Sequence, residues 1–187
     1  MKTVTFIHIG KTGGTSIRAF LRAAIKQTRD FDILELDRHS TAQHLHDEYG
    51  EVFDNSFKFS VVREPFARYA SACRQCKVDP NAEDTISRTI SGEGMTGVRH
   101  NIFVRQVDSL LVDGKLCTNN LFRFETDLGQ TFIDAMAAQG IHWHQIHNLN
   151  TKVKPVTELS PTTIDFVREF YKDDFETFGY ETHPENM

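Results

Sequence analysis

Phe6-Ile-His-Ile-Gly-Lys-Thr-Gly-Gly-Thr-Ser-Ile17 is the stretch that decides how this chain folds. Residues 4–9 form a hydrophobic strand, a loop of glycines and threonines follows, and apolar residues then recur at the spacing of a helix with one buried face. A strand, a glycine-rich turn and a helix N-terminus form an anion site, because backbone N–H groups and the helix dipole favour negative charge. Lys11 adds a full positive charge. The stretch therefore predicts a phosphate-binding loop.

The loop differs from the Walker A loop of P-loop kinases. That pattern places a glycine five residues before its Gly-Lys pair, whereas this chain has Thr5 there. A small-molecule kinase of the P-loop class would also need a magnesium-binding acid after a strand. The kinase interpretation stays open as an alternative, and preferential binding of ATP with magnesium would favour it.

A second informative string is Phe59-Ser-Val-Val-Arg-Glu-Pro-Phe-Ala-Arg-Tyr-Ala-Ser-Ala72. Its apolar start is typical of a buried parallel strand. Arg63 then lies at the carboxyl end of that strand, where open α/β sheets bind ligands. Arg68 and Ser71 share one helix face by their spacing, so we expect a guanidinium and a hydroxyl group to converge on a phosphate. The alternative is that Arg63 pairs with a surface acid such as Glu64, and that Ser71 has no role.

Together the two strings resemble the nucleotide-binding motifs of the sulfotransferases that use PAPS, 3′-phosphoadenosine 5′-phosphosulfate. The first is similar to the 5′-phosphosulfate loop of the carbohydrate branch (heparan 2-O and chondroitin-type enzymes), whose usual form is His-Ile-Pro-Lys-Thr-Gly-Gly-Thr-Ser. Gly10 replaces the proline here and is expected to loosen the turn without removing a ligand group. The second matches each fixed position of the 3′-phosphate motif Val-Arg-x-Pro-(aromatic)-x-Arg-x-x-Ser.

The resemblance implies which residues bind the donor. Arg63 and Ser71 would bind the 3′-phosphate. Lys11 would bind the 5′ side and also act as a catalytic residue. The other implied ligands of the 5′ side are Thr12, Gly13, Gly14, Thr15 and Ser16. PAPS is the implied cofactor, and PAP is the product that remains after transfer.

Weaker resemblances continue in order along the chain. They are Gln106-Val-Asp, Arg123-Phe-Glu125, Asn148-Leu-Asn150-Thr-Lys152 and Tyr171-x-x-Asp174-Phe-x-x-Phe-Gly-Tyr180. In similar enzymes the loop before Lys152 is often near the cofactor, so Lys152 is either a phosphate ligand or a solvated loop charge. Residues 76–99 have no such match, and we expect 77–105 to be an insertion on the acceptor side.

A general base must take the proton of an acceptor hydroxyl, and histidine is the usual base near neutral pH. His39 lies in a polar turn after the second expected strand, at the same sheet edge as the Lys11 loop. Similar sulfotransferases have a Lys-His-Ser/Thr-type turn there, and the heparan 2-O-type enzymes have a catalytic histidine in the corresponding region. We therefore predict that His39 is the catalytic base. The alternative is an ordinary surface residue. His8, inside the first strand, is expected to be a buried histidine bonded to the backbone and not a catalytic residue, with a supporting role in shaping the loop as an alternative.

Strands that alternate with helices predict an α/β protein with a three-layer, P-loop-like fold and a mostly parallel central sheet. The expected strands are 4–9, 31–36, 57–62 and 121–124. Ser40 or Thr41 is expected to cap a helix with Leu45, Tyr49 and Val52 on one side, and Pro65 is expected in the first turn of the next helix. A short helix is expected at 85–90. Thr126 should cap a helix that runs to Ala138 and is ended by Gly140, and Ser160-Pro161 should begin the last helix.

Length and charge limit the function classes. The 187 residues suit a single domain, 1–187. A net charge of −5 argues against a nucleic-acid partner. No apolar run approaches the roughly 20 residues that span a bilayer, and the three cysteines suit a reduced, cytoplasmic setting. We expect a bacterial or viral relative of the Golgi-anchored enzymes, or an excised domain of one.

Two other patterns carry no predicted chemistry. His142-Trp-His144-x-x-His147 lacks the spacing and companion ligands of a zinc site. Cys73-Arg-Gln-Cys76 has redox-motif spacing without a thioredoxin-like context. We therefore predict no metal site.

The predicted function is transfer of the sulfuryl group of PAPS to an acceptor hydroxyl, expected on a saccharide, by in-line displacement with a histidine base. Besides the kinase, the open alternative is a catalytically silent nucleotide-binding or glycan-binding module. The sequence leaves the oligomeric state unknown.

Overall fold

Four parallel strands form the central sheet, in the order β2-β1-β3-β6. A computed structural model gives this fold and describes residues 2–28, 31–34, 40–93, 102–118, 120–142 and 158–184. The strands are β1 (Lys2–Ile7), β2 (Phe31–Leu34), β3 (Phe57–Val62), β4 (Leu111–Val112), β5 (Lys115–Leu116) and β6 (Leu121–Arg123). The short strands β4 and β5 form a separate antiparallel hairpin that turns at Asp113 and Gly114.

Helices connect the strands and continue to the C-terminal part. They are α1 (Gly14–Thr28), α2 (Ala42–Tyr49), α3 (Glu51–Asp54), α4 (Pro65–Cys76), α5 (Glu83–Ser91), α6 (Gln130–Ala138), α7 (Pro161–Phe170) and α8 (Lys172–Phe178). A 3₁₀ turn at Val107–Leu110 precedes the hairpin. Among the helices of the described ranges, none has both the length and the apolar content needed to cross a membrane.

Helices cover both faces of the sheet, because β1 and β3 bury residues on both sides. Alternate residues point to opposite faces of a strand. Val4 and Phe6 pack with helices α1 and α6, in a core that includes Phe20 and Phe132. Ile7, on the other face, packs in a core with α2, α3 and the 3₁₀ turn. This confirms the predicted α/β fold with a parallel sheet between two helical layers.

Several of the expected element boundaries are confirmed, although β1 begins and ends two residues earlier than the expected 4–9. Strand β3 has the predicted bounds, and β6 lies within the predicted range. The hydroxyl of Thr41 accepts a hydrogen bond from His44 N and caps α2, and Ser160 caps α7 in the same way. Pro65 is in the first turn of α4, where its missing N–H costs no hydrogen bond.

Two helix predictions are wrong. Val52 does not extend the buried side of α2, since Gly50 has a φ of 49° and breaks the helix there, and Val52 is 54% exposed on the short α3. Thr126 does not cap α6, which begins after Gly129. The carboxylate of Asp127 accepts from Arg123 N and from Thr126 Oγ1, so it organises a turn before the helix.

Candidate functional site

The site lies at the carboxyl edge of the sheet, between the loops that follow β1 and β3. These strands are parallel neighbours, with Ile7 opposite Ser60. Their carboxyl ends therefore meet at one edge, and the 8–13 loop faces the residues after β3. This is the edge where open α/β sheets bind ligands.

The loop after β1 is held in a defined shape. Lys11 has a φ of 70° and Gly13 a φ of 82°, so two residues adopt the left-handed conformation. For a lysine this conformation costs about 1–2 kcal/mol. Contacts within the loop compensate, since Thr12 Oγ1 donates to Ile9 O over 2.9 Å and Ser16 N donates to Gly13 O over 3.0 Å. The hydroxyl of Thr12 is fully buried in this role.

The two glycines allow rings to lie against the loop. A Cβ atom at Gly14 would lie 1.9 Å from His8 Nε2, so the imidazole occupies the space that a larger residue would need. A Cβ atom at Gly13 would lie 3.1 Å from the ring of Phe124. The imidazole of His8 also stacks on Phe6, with ring centroids 5.5 Å apart. His8 therefore lies where its ring can support the shape of the loop.

Arg63 joins the two loops. Its Nη1 donates to the carbonyl of Lys11 over 3.2 Å, and its guanidinium lies over the ring of Phe124 at 4.5 Å. The residue is 6% exposed. Its Nε is buried and has no hydrogen-bond partner within the described ranges. A buried donor without a partner is costly, so this nitrogen is available for an anionic ligand.

The backbone of Arg63 is fixed by a buried network. Gln106 Oε1 accepts from Arg63 N over 2.9 Å, and Gln106 Nε2 donates to Arg63 O over 2.8 Å. The carboxylate of Asp174 then accepts from the backbone N–H groups of Gln106 and Val107, each at 2.9 Å. Burial raises the pKa of the Asp174 carboxyl group, and the charge of Arg68 opposes that shift. Both supporting residues lie in segments that resemble the sulfotransferases only weakly.

Arg68 is a support and not a phosphate ligand. It is 1% exposed, its Nε donates to Gly10 O over 3.0 Å, and its Nη2 donates to Ile102 O over 3.1 Å. The expectation that its guanidinium converges with Ser71 on a phosphate is therefore wrong. Burial inside the helix layer directs it to the start of the Lys11 loop, and it fixes that loop to the chain at residue 102. Ser71 is half-buried on α4.

Lys11 meets the last turn of α4. Its Nζ donates to Gln75 Oε1 over 2.7 Å. Burial lowers the pKa of Lys11, and the charges of Arg63 and Arg74 lower it further. Burial and Arg74 also lower the pKa of Arg63, while the nearby Glu125 raises it. The three cations are close enough to repel one another, so an anion bound among them would gain from each.

Glu64 caps helix α4 instead of forming the surface ion pair with Arg63 that the sequence left open. Its carboxylate accepts from Phe66 N over 2.9 Å and from Ala67 N over 2.6 Å, which caps α4. Its own N–H donates to Glu125 Oε1. Burial raises the pKa of Glu64, and the two cap hydrogen bonds oppose that shift. The Glu64 carboxylate is therefore used to cap α4, and Arg63 is directed to the Lys11 loop.

The structure describes only some of the other predicted site residues. Thr15 is exposed and Ser16 half-buried at the start of α1, both beside the loop. His39 lies in 35–39 and Lys152 in 143–157, outside the described residues, as do His144 and His147. Within the described ranges no group of three or more histidine, cysteine or acidic residues is placed to hold a metal ion. Cys73 and Cys76 are buried free thiols, and burial raises the pKa of Cys73 to about 12.

Sequence reasoning missed Gln75, Arg74 and the anchoring of Arg63 by Asp174. The weak resemblance of the segments around Gln106 and Asp174 to the family was a clue to this anchoring. For Gln75 and Arg74 the only sequence clue was their spacing, because they follow Ser71 by one helical turn and so share its face of α4. Helical spacing from a predicted ligand was therefore the available clue.

Comparison with known proteins agrees with this geometry. The model of the Sulfotransferase family matches residues 2–149, which include both loops, the first six helices and the whole sheet. No match was found among the curated proteins or among the solved structures. The matched range is most of the chain, and its family carries out sulfuryl transfer and not the kinase reaction. The chain belongs to the sulfotransferase family.

Proposed function

We propose that the protein transfers the sulfuryl group of PAPS to a hydroxyl group of an acceptor, and that the acceptor is a carbohydrate. The observation that carries the proposal is the buried guanidinium of Arg63. Its Nε has no partner in the described part of the chain, while its Nη1 is bonded to the loop of Lys11. An arginine held in this way suits a phosphate beside the loop.

The residues present fit a nucleotide with separate 3′ and 5′ phosphates. Arg63 and Ser71 would bind the 3′-phosphate. The start of α1, with Lys11 and the hydroxyl groups of Thr15 and Ser16, would bind the 5′ side. Gly13 and Gly14 let the rings of Phe124 and His8 pack against this loop and hold its shape. We propose Lys152 as a further phosphate ligand.

When bound, PAPS supplies the sulfuryl group, which moves from the 5′-phosphate oxygen to the acceptor oxygen. The ammonium of Lys11 would stabilise negative charge on the departing phosphate, because the site around it is cationic and partly dry. His39 would take the proton of the acceptor hydroxyl. Asp174 and Gln106 hold the Arg63 side chain in its position beside the Lys11 loop.

The carbohydrate acceptor is supported by the similarity of residues 8–16 to the carbohydrate branch. We propose that residues 77–105 and the 142–154 loop select the acceptor, because both lie outside the two strings that would bind the phosphates of the donor. We also propose a reduced, cytoplasmic setting, since the thiols of Cys73, Cys76 and Cys117 are free in the structure.

Calorimetric titration with PAP and with 5′-AMP tests the nucleotide site. PAP should bind at least about tenfold more tightly, because charge-assisted hydrogen bonds to its 3′-phosphate are worth about 1.5–3 kcal/mol. Arg63→Met should remove most of this preference. Equal affinity of wild type for the two nucleotides would contradict the 3′-phosphate site, and a preference for ATP with magnesium would favour a kinase.

Radiolabelled PAPS with a panel of saccharides tests the reaction. Wild type should label at least one saccharide. His39→Ala should lose turnover by about 100-fold or more while it binds PAP normally. His46→Ala is the matched control, because His46 lies on α2 and contacts Asp47 and Asp54. Tight PAP binding without transfer to any hydroxyl acceptor would favour a silent binding module.

A further inference from the structure

The last turn of α4 supplies a direct contact to the ammonium of Lys11. Gln75 Oε1 accepts the hydrogen bond from Lys11 Nζ over 2.7 Å, across 64 residues of sequence. Gln75 itself is exposed, so the packing of the core does not require it. Ser71, Arg74 and Gln75 lie at the i, i+3 and i+4 positions of one helix face. The face that carries a proposed 3′-phosphate ligand therefore also carries the partner of Lys11.

The groups around Lys11 are mostly cationic. Arg63 and Arg74 lower the pKa of Lys11, in addition to the larger effect of burial, and the thiol of Cys76 raises it. Lysine side chains are flexible and their rotamer entropy is large. Repulsion by two arginines would turn such a side chain away from the loop unless an acceptor held it. Gln75 is that acceptor.

The neutrality of Gln75 is the informative feature. An amide oxygen orients an ammonium group and leaves its charge available to an anion. A carboxylate in the same place would neutralise the charge and would repel an incoming phosphate. The site is therefore built to direct Lys11 without reducing its attraction for an anion.

We propose that Gln75 is a positioning residue that directs the Lys11 ammonium at the 5′ side of the donor, both before the donor binds and in the complex. This inference rests on the proposed function, because it assumes that the anion beside Lys11 is the donor. Gln75 acts through Lys11 and does not itself contact the reacting atoms.

The test compares Gln75→Glu and Gln75→Met with wild type. Gln139→Glu is the control, because it makes the same change of charge at the opposite edge of the sheet, beside Lys2. The first measurement is the pH profile of Lys11 acetylation by acetic anhydride in ligand-free protein, read by mass spectrometry of the Lys11 peptide. The pH midpoint of Lys11 acetylation should rise by about 1 pH unit or more in Gln75→Glu, since a carboxylate within about 4–6 Å favours the ammonium form. It should stay unchanged in Gln139→Glu.

The second measurement is turnover with PAPS and the affinity for PAP. Gln75→Glu should bind PAP about tenfold more weakly. Gln75→Met should keep the KM for PAPS within about threefold and lose about tenfold in kcat, because Lys11 keeps its charge but loses its orientation. An unchanged Lys11 midpoint in Gln75→Glu, or a wild-type kcat in Gln75→Met, would overturn the inference. Failure of wild type to bind PAP would instead overturn the proposed function, and the acetylation profile would still report the contact.

Discussion

The side-chain amide of Gln106 pairs with both backbone polar groups of Arg63, accepting from its N–H over 2.9 Å and donating to its carbonyl over 2.8 Å. Gln106 is fully buried, and Asp174 in turn fixes its backbone. Arg63 sits where β3 has ended, so no neighbouring strand satisfies these two groups. The amide continues the hydrogen bonding of the sheet by one residue and sets the direction of the guanidinium.

Replacement of Gln106 by leucine should therefore affect both stability and binding. Gln106→Leu leaves the N–H and carbonyl groups of Arg63 buried without partners, at a cost of about 1–3 kcal/mol for each. Urea unfolding should show a loss of about 3 kcal/mol, and the Kd for PAP should rise about tenfold. Gln43→Leu is the control, because its hydrogen bonds are exposed and its cost should stay below about 1 kcal/mol. Equal losses in the two variants would contradict the anchoring role.

The fold was predictable because its signals are local. The apolar run at 57–62 and the glycine-rich stretch after β1 define two parallel strands and the turn between strand and helix. Capping residues such as Thr41 and Ser160 add the starts of helices. These features depend on residues close together in sequence, so a single chain is enough to recognise them.

The site was predictable only in part, since its details depend on contacts distant in sequence. Arg63 was found because it ends a strand within a recognisable string. Arg68 lies in the same string, but its burial beneath Gly10 and Ile102 comes from the packing of α4, which the string does not state. The Gln75 contact spans 64 residues and depends on where a helix ends relative to a loop. No local pattern contains that information.

The contact between Gly14 and His8 predicts a steric coupling. Gly14→Ala places a methyl group 1.9 Å from His8 Nε2, so the imidazole or the start of α1 must move. Overpacking of this kind costs about 1–3 kcal/mol, and PAP affinity should fall with it. The double variant Gly14→Ala, His8→Ala should recover at least about 1 kcal/mol relative to the sum of the single changes. Strict additivity in urea unfolding would show that the two residues do not compete for space.

Arg68 should be a major determinant of stability, because it supports the Lys11 loop from a fully buried position. Arg68→Met removes the hydrogen bonds to Gly10 O and Ile102 O from a fully buried position. Loss of these two charged hydrogen bonds should cost about 3 kcal/mol or more. Hydrogen exchange should also become faster in residues 9–14, because Gly10 loses its support. Arg168→Met is the control, since the pair of Arg168 with Asp165 is on the surface and worth less than about 1 kcal/mol. An equally small effect at Arg68 would exclude the support role.

The lowered pKa of Lys11 predicts how nucleotide binding depends on pH. Burial and the charges of Arg63 and Arg74 make Lys11 lose its proton below the ordinary value of 10.5. PAP should bind the protonated form more tightly, so its Kd should rise as the pH increases through the lowered pKa, and binding at alkaline pH should take up a proton. Lys11→Arg should remove this dependence, because an arginine stays charged throughout the range. Calorimetry between pH 7 and 10 in buffers of different ionisation enthalpy measures both effects. A wild-type Kd that stays constant to pH 10 would mean that the ammonium of Lys11 does not contribute to binding.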